Sequence, residues 1–259
     1  MNINRLQTHK LKLGYQETTI CQDISLTIPD KQVTVIIGPN GCGKSTLLRS
    51  LCRLLKPLEG HVSLDNLPLS HYPTKILARQ IALLPQTMQA PPGITVIDLV
   101  ARGRFPYQGL IHQWSHEDKN AVENAMQVTQ TTEYANKPVE ALSGGQRQRV
   151  WVAMVLAQQT EILLLDEPTT YLDISYQIEL LTIFQLLNQE QGRTIVTVLH
   201  DLNQACRYAD NLVVMLKGQI FAQGKPQDII NEQLIQQVFN LACLIIPDPI
   251  TGTPMVVPR

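Results

Sequence analysis

"VTVIIGPNGCGKSTLLRSLCRLL", Val33 to Leu55, runs from a β-branched apolar stretch through a glycine-rich loop into an amphipathic helical pattern. Within it, G-x-x-x-x-G-K-S spans Gly38 to Ser45 and falls between a strand pattern and a helix pattern. Gly38, Gly41 and Gly43 let the backbone curl until successive amides point inward, and the following helix presents its positive end to the same place. Such a loop holds phosphate. Lys44 is placed to neutralise β- and γ-phosphate oxygens, and the Ser45 hydroxyl is suited to Mg²⁺. The candidate loop is Gly38, Pro39, Asn40, Gly41, Cys42, Gly43, Lys44, Ser45 and Thr46. A plain strand-to-helix turn would need neither the lysine nor the hydroxyl at these offsets. Cys42 has two readings: a thiol activated by the helix start and Lys44, or a small residue tolerated in the loop.

"EILLLDEP" is a second apolar run, and it ends in two carboxylates, Asp166 and Glu167. Strand residues alternate sides, so the pair is expected to divide labour. Asp166 approaches the metal near Ser45, and Glu167 orients the attacking water and accepts its proton. Further apolar runs, "RTIVTVLHD" and "NLVVMLKGQI", alternate with helix-like segments, which predicts an α/β fold with a mainly parallel sheet covered by helices. Upstream, "INRLQTHKLKLGY" and "QDISLTIPDKQVTVII" alternate apolar and polar residues and predict an antiparallel β part. Between them "VIDLVARGR", "SHEDKNAVENAMQVTQ" and "SGGQRQRVWVAMVLAQ" carry helical spacing, with Ser115 and Ser143 as caps. The organisation expected is a single domain whose core comprises residues 1–86 and 159–259, with a helical insertion at 87–158 entered through the proline-bearing "QTMQAPPGIT".

The bulk numbers agree with a folded α/β protein: 259 residues, 44% hydrophobic, net charge −1. That charge argues against nucleic acid as a partner. Five scattered cysteines with no C-x-x-C spacing predict neither a disulfide framework nor a zinc site. No apolar run reaches the roughly eighteen residues of a membrane span, so any membrane role is expected to be peripheral, through a partner.

"EALSGGQRQRV", Glu140 to Val150, offers a second hydroxyl and more glycine amides at a helix start. Together with "GPNGCGKST", "LPQ" at Leu84–Gln86, "LLLDEP", "YLD" at Tyr171–Asp173 and "LHD" around His200, it occurs in the order seen in ATP-binding-cassette ATPases, which this chain resembles over nearly its whole length. The resemblance implies a RecA-like P-loop core with an antiparallel β subdomain and an inserted α-helical subdomain. It implies ATP and Mg²⁺ as ligands, Gln86 as the glutamine that reaches metal and water, His200 as the contact to the γ-phosphate and Tyr15 as the ring stacked on adenine. It also implies that Ser143, Gly144, Gly145 and Gln146 complete the nucleotide site of a second copy, with Asp173 linking the two sites in a head-to-tail homodimer.

The stretches "ARGRFPYQGL", "DEPTTYLDISYQIELL", "VLHDLNQACRYAD" and "CLIIPDPITGTPMVVPR" further resemble the ferric-siderophore import branch of that family. That likeness implies a bacterial importer ATPase at the cytoplasmic face of the membrane, working with permease subunits and, indirectly, a substrate-binding protein. "RGRFPYQ" is its candidate permease contact, the alternative being a loop that packs the inserted lobe. The dispersed histidines predict that iron itself is not held here. Haem or vitamin B12 import, an exporter and a non-transport clamp or scaffold are the other readings.

Overall fold

Val33–Ile37 becomes a strand because its β-branched residues are buried without exception, which only a sheet covered on both faces allows. In the computed structural model, residues 5–16, 18–109, 114–170 and 172–259 are described, so Ile3, Asn4, Leu110 and Tyr171 of the stretches quoted above lie outside the described residues. The chain opens with strands β1 (Leu6–Tyr15), β2 (Thr18–Ile24), β3 (Thr27–Ile28) and β4 (Val33–Ile37), then helix α1 (Lys44–Leu51), strands β5 (Glu59–Leu64) and β6 (Leu67–Pro68), α2 (Thr74–Ala78) and β7 (Ile81–Leu84). Three helices follow: α3 (Val96–Ala101), α4 (His116–Val128) and α5 (Gly144–Ala157). Next come β8 (Ile162–Asp166), α6 (Ile174–Gln191), β9 (Thr194–Val198), α7 (Leu202–Tyr208), β10 (Asn211–Leu216) and β11 (Gln219–Gly224). Helices α8 (Pro226–Ile229) and α9 (Glu232–Phe239) lead to the last two strands, β12 (Cys243–Pro247) and β13 (Pro254–Pro258).

The central sheet runs β11-β10-β4-β9-β8-β7, parallel throughout except for β11. Alternate residues feed two cores. Val33, Val35, Ile37, Leu163 and Leu165 face one side, where the helices between β7 and β8 pack; Ile36, Leu164, Val196 and Val198 face the other, with α1 and the antiparallel strands. Each such buried side chain contributes about 1.5–3 kcal/mol relative to exposure. The second sheet, β2-β1-β5-β6 with β3 also on β1, is antiparallel.

Two features depart from the sequence reading. "NLVVMLKGQI" is not one strand: Lys217 and Gly218 take φ of 49° and 77°, the pair of left-handed residues that a tight hairpin turn requires, and split it into β10 and β11. "QIALLPQ" contains the edge strand β7, too short to stand out by pattern alone.

Ser115 and Ser143 each cap a helix in the reciprocal manner: Ser115 with Asp118, and Ser143 with Gln146. "RGRFPYQ" folds mostly inward. Arg104, 3% exposed, forms a 2.7 Å ion pair with Asp118 and donates to the Ala157 carbonyl, while Tyr107 donates to the Gln158 carbonyl and lies under the Arg104 guanidinium. Arg102 and Phe105 are what this segment leaves exposed. The mixture of arginines and aromatics that suggested a docking surface is therefore largely a clamp joining α4 to the end of α5.

Candidate nucleotide site

The loop between β4 and α1 needs glycine at two places for separate reasons. Gly43, the residue before α1, has φ of 101°, and a Cβ there would lie 2.4 Å from Cys21 Sγ. At Gly38 a Cβ would lie 2.3 Å from the Met215 carbonyl oxygen. Lys44 folds back across the loop, its Nζ donating to the carbonyls of Gly38 at 2.8 Å and Pro39 at 3.1 Å. The ammonium is thereby fixed at the loop's hollow, 5% exposed.

β8 delivers Asp166 behind this loop, where Ser45 Oγ donates to its Oδ1 at 2.8 Å. Burial pushes the Asp166 carboxyl above its usual range, against the pull of the Ser45 hydroxyl and the nearby Arg49 and Lys44. A hydroxyl and a carboxylate in contact are the hard-oxygen pair that Mg²⁺ takes from a protein when phosphates supply the rest. The residues present therefore fit that ion.

Glu167 does not continue the strand. Its φ of 52° lies in the left-handed region, so the backbone turns at the strand exit, and this turn, rather than strand alternation, sets the direction of its side chain. Its carboxylate accepts from Gln86 Nε2 at 2.8 Å and Thr170 Oγ1 at 3.3 Å and lies 2.7 Å from His200 Nε2. Gln86 follows β7 and His200 follows β9, the two strands that flank β8, so sheet order brings the three together.

Asn40, Gly41, Gly43, Lys44, Ser45, Thr46, Gln86, Glu167 and His200 line one cleft of 410 Å³. Ile20 of β2 lines it too, and neither it nor Thr170 was anticipated; Thr170 stands in "DEPTT", three residues after the carboxylate it meets, whereas Ile20 is placed only by the packing of β2. Tyr15 ends β1 outside that lining, with its hydroxyl accepting from Arg49 at 3.4 Å. Cys42 is 5% exposed, and burial pushes its thiol up despite the counter-pull of Lys44. It takes the second of its two readings, a small buried side chain.

Ser143, Gly144, Gly145, Gln146 and Asp173 do not join this cleft. Gly144 instead borders a second hollow of 530 Å³ with Arg147, Gln148, Trp151 and Thr170, and Gln86 lines both. Ser143 Oγ accepts from Gln146 N–H at 3.3 Å, which leaves its own hydrogen free to donate. A Cβ on Gly144 would meet nothing within 4 Å, so that helix start faces open space. Asp173 caps α6 by accepting from Tyr176 N–H at 3.1 Å.

The family profile described as ABC transporter matches residues 21–170. Petrobactin import ATP-binding protein FpuD of Bacillus anthracis is 55% identical over 98% of this chain and 93% of its own length. Ferric enterobactin transport ATP-binding protein FepC of Escherichia coli is 54% identical over 99% of this chain and 95% of its own, and hemin import ATP-binding protein HmuV of Shewanella denitrificans is 38% identical over 99% and 100%. Among solved structures, an inward-facing metal-chelate type ABC transporter covers all of this chain and 98% of its own at TM-score 0.84 and 26% identity. A dimeric post-hydrolysis ATP-binding cassette bound to ADP and Pi matches 85% of this chain and 98% of its own at TM-score 0.77 and 28% identity.

Proposed function

Because this chain belongs to the ABC transporter family, we propose that it is the ATP-hydrolysing subunit of a bacterial importer that drives Fe³⁺-siderophore complexes across the cytoplasmic membrane. The observation that carries the hydrolytic part is the Glu167 carboxylate, fixed by His200, Gln86 and Thr170 at the mouth of the cleft that holds Lys44. A carboxylate held by these three side chains is ready to align a water and take its proton as the terminal phosphate is attacked. Lys44 and the loop amides hold the β- and γ-phosphates. Ser45 and Asp166 would hold Mg²⁺, with Gln86 beside it, and the ion would neutralise charge on those phosphates. His200, beside Glu167 in the same cleft, would contact the γ-phosphate, and Tyr15 would stack on the adenine.

The exposed start of α5 supports a composite site. The Gly144 and Gly145 amides have no intrahelical acceptor, and the Ser143 hydroxyl retains a donor, so these groups would grip the phosphate bound to a second copy, with Gln146 completing that helix start through its cap on Ser143. Asp173, at the start of α6, would connect the two sites. Two head-to-tail copies then bury two ATP molecules, and ATP favours the closed dimer because those contacts exist only there. No helix among the described residues is long and apolar enough to cross a membrane, so the chain would meet the membrane at its cytoplasmic face through permease subunits, with a binding protein delivering cargo from the other side. Arg102 and Phe105 are the side chains of "RGRFPYQ" left to touch that permease.

For cargo, identities of 55% and 54% to siderophore importers against 38% to a hemin importer favour the ferric-siderophore reading. Deleting the gene and growing the cells on single purified iron sources tests it. Growth on one or more ferric siderophores should fail while growth on haem continues; unimpaired use of every ferric siderophore would remove the cargo assignment.

A further inference from the structure

The turn that aims Glu167 is held from outside as well as from within. Residues 167–170 read Glu-Pro-Thr-Thr, and the Thr170 amide donates to the Glu167 carbonyl at 3.2 Å, which closes a four-residue turn with Pro168 in its second position. Proline suits that position because its ring already fixes φ at the value the turn needs. It also lacks an N–H, so the carbonyl is the one backbone group of this buried residue that must find a partner. That partner is a side chain. Gln148 of α5, itself 9% exposed, donates its amide to the Pro168 carbonyl at 2.7 Å.

Neighbours on α5 make contacts in the same direction. Gly145, three residues before Gln148 and so on the same helix face, lies where a Cβ would come within 3.5 Å of the Leu172 side chain. Arg149 lays its guanidinium over the Tyr176 ring at 4.5 Å, and its Nη1 is 4.0 Å from Glu179 of α6. The first two turns of α5 are thus seated along the segment that runs from Glu167 into α6. Ser143 precedes Gln148 by five residues, about 7 Å of helix axis. One short piece of rigid helix therefore carries both the start that would grip a second copy's nucleotide and the amide that holds Pro168.

Glu167 has to be held at both ends. Gln86 and Thr170 fix the far end of its side chain, whereas Gln148 fixes the backbone from which that side chain springs. A φ of 52° is a conformation that a non-glycine residue keeps only when its surroundings impose it. A displacement of about 1 Å at a reacting group can cost up to about 10²-fold in rate, so a peptide bonded directly to Glu167 matters to the chemistry. Gln148 is not among the residues lining the cleft of Lys44, and its effect on the rate has to pass through Glu167.

We propose that Gln148 is a positioning residue for ATP hydrolysis: through the Pro168 carbonyl it fixes the turn that aims the Glu167 carboxylate, and so ties the base of one site to the helix start that serves the other. This rests on the reading of Glu167 as the base.

The test is a double-mutant cycle on the full chain, read as the ATP dependence of phosphate release. Gln148→Met keeps the length of the side chain and removes the donor. It should lower kcat about tenfold while KM stays within about twofold, the pattern of an interaction that serves the transition state alone. In a Glu167→Gln background, where no carboxylate is left to aim, the same change should alter the residual rate by less than about twofold. Gln158, at the far end of α5, donates to the Ala78 carbonyl, so Gln158→Met removes a bond of the same kind from the same helix. It should leave kcat within about twofold, which separates loosening of the helix from loss of aim. Gln148→Asn, one methylene too short to reach Pro168, gives the same reading if Gln148→Met does not fold. An unchanged kcat, a rise in KM at constant kcat, an equal fractional loss in both backgrounds or an equal loss from Gln158→Met overturns the proposal and leaves the base assignment standing. Turnover of Glu167→Gln at the parent's rate removes the base assignment itself, and the proposal with it.

Discussion

Glu167 occupies a backbone conformation, φ 52°, that a non-glycine residue adopts at some cost, and what holds it there is visible in its partners. His200 and Gln86 each take one carboxylate oxygen, so the group is oriented before any substrate arrives. Replacing the carboxylate by an isosteric amide keeps these positions but removes the proton acceptor. Glu167→Gln is therefore expected to lower the turnover of ATP by about 10²–10⁴, roughly 3–5 kcal/mol in the barrier, with ATP affinity retained. Phosphate release together with equilibrium nucleotide binding measures both, and near wild-type turnover would refute the assignment. The residue types at this site could be read from the chain because a lysine, a hydroxyl and two carboxylates are needed at set offsets from a strand end. The direction of Glu167 could not, since a single φ value beyond the strand decides it.

Helices α4 and α5 show what an element owes to its neighbours. Both are announced by serine caps, a local signal. How they are joined is not local: Arg104 reaches Asp118 on α4 and the Ala157 carbonyl at the end of α5. Burial alone would raise the Asp118 carboxyl, but Arg104 and Ser115 more than offset this and hold it below the usual carboxylate range. A group with a depressed folded pKa stabilises the protein above the unfolded value, about 3.9, and that contribution is lost as pH falls through the folded value. Arg104→Ala strands a buried carboxylate and should cost about 3–5 kcal/mol at neutral pH. The gap to wild type should narrow as pH falls through the acid range, because acid neutralises the stranded Asp118 of the variant at a higher pH than it breaks the Arg104–Asp118 pair of the parent. Thermal unfolding across pH reads this, and a gap that stays constant into acid would show that the pair is not what Arg104 contributes. Read along the chain, "RGRFPYQ" looked like a docking surface because sequence gives residue types without their direction.

For the whole molecule the unit of function is the question. Ser143 and Gly144 lie outside the cleft that Lys44 lines, although both places have phosphate-binding chemistry. If each ATP needs the Lys44 loop of one copy and the Ser143 helix of the other, defects in these two places fall in one composite site when the mutants are mixed. A mixture of Lys44→Ala and Ser143→Arg chains should then form ATP-dependent dimers with one intact site, although neither variant does so alone. A mixture that never dimerises would refute the arrangement. The α/β class, the phosphate loop, the paired carboxylates and the helix caps are legible in the chain without its fold. Each of these is written in neighbouring residues, as periodicity or as spacing from a strand end. It is long-range packing that sets β7, β8 and β9 side by side and so brings Gln86, Glu167 and His200 together, that turns Arg104 inward, and that pairs β12 with β13 so that Leu244 and Ile246 stay exposed. Strand order and side-chain direction arise from contacts between residues far apart in the chain, where no local pattern records them.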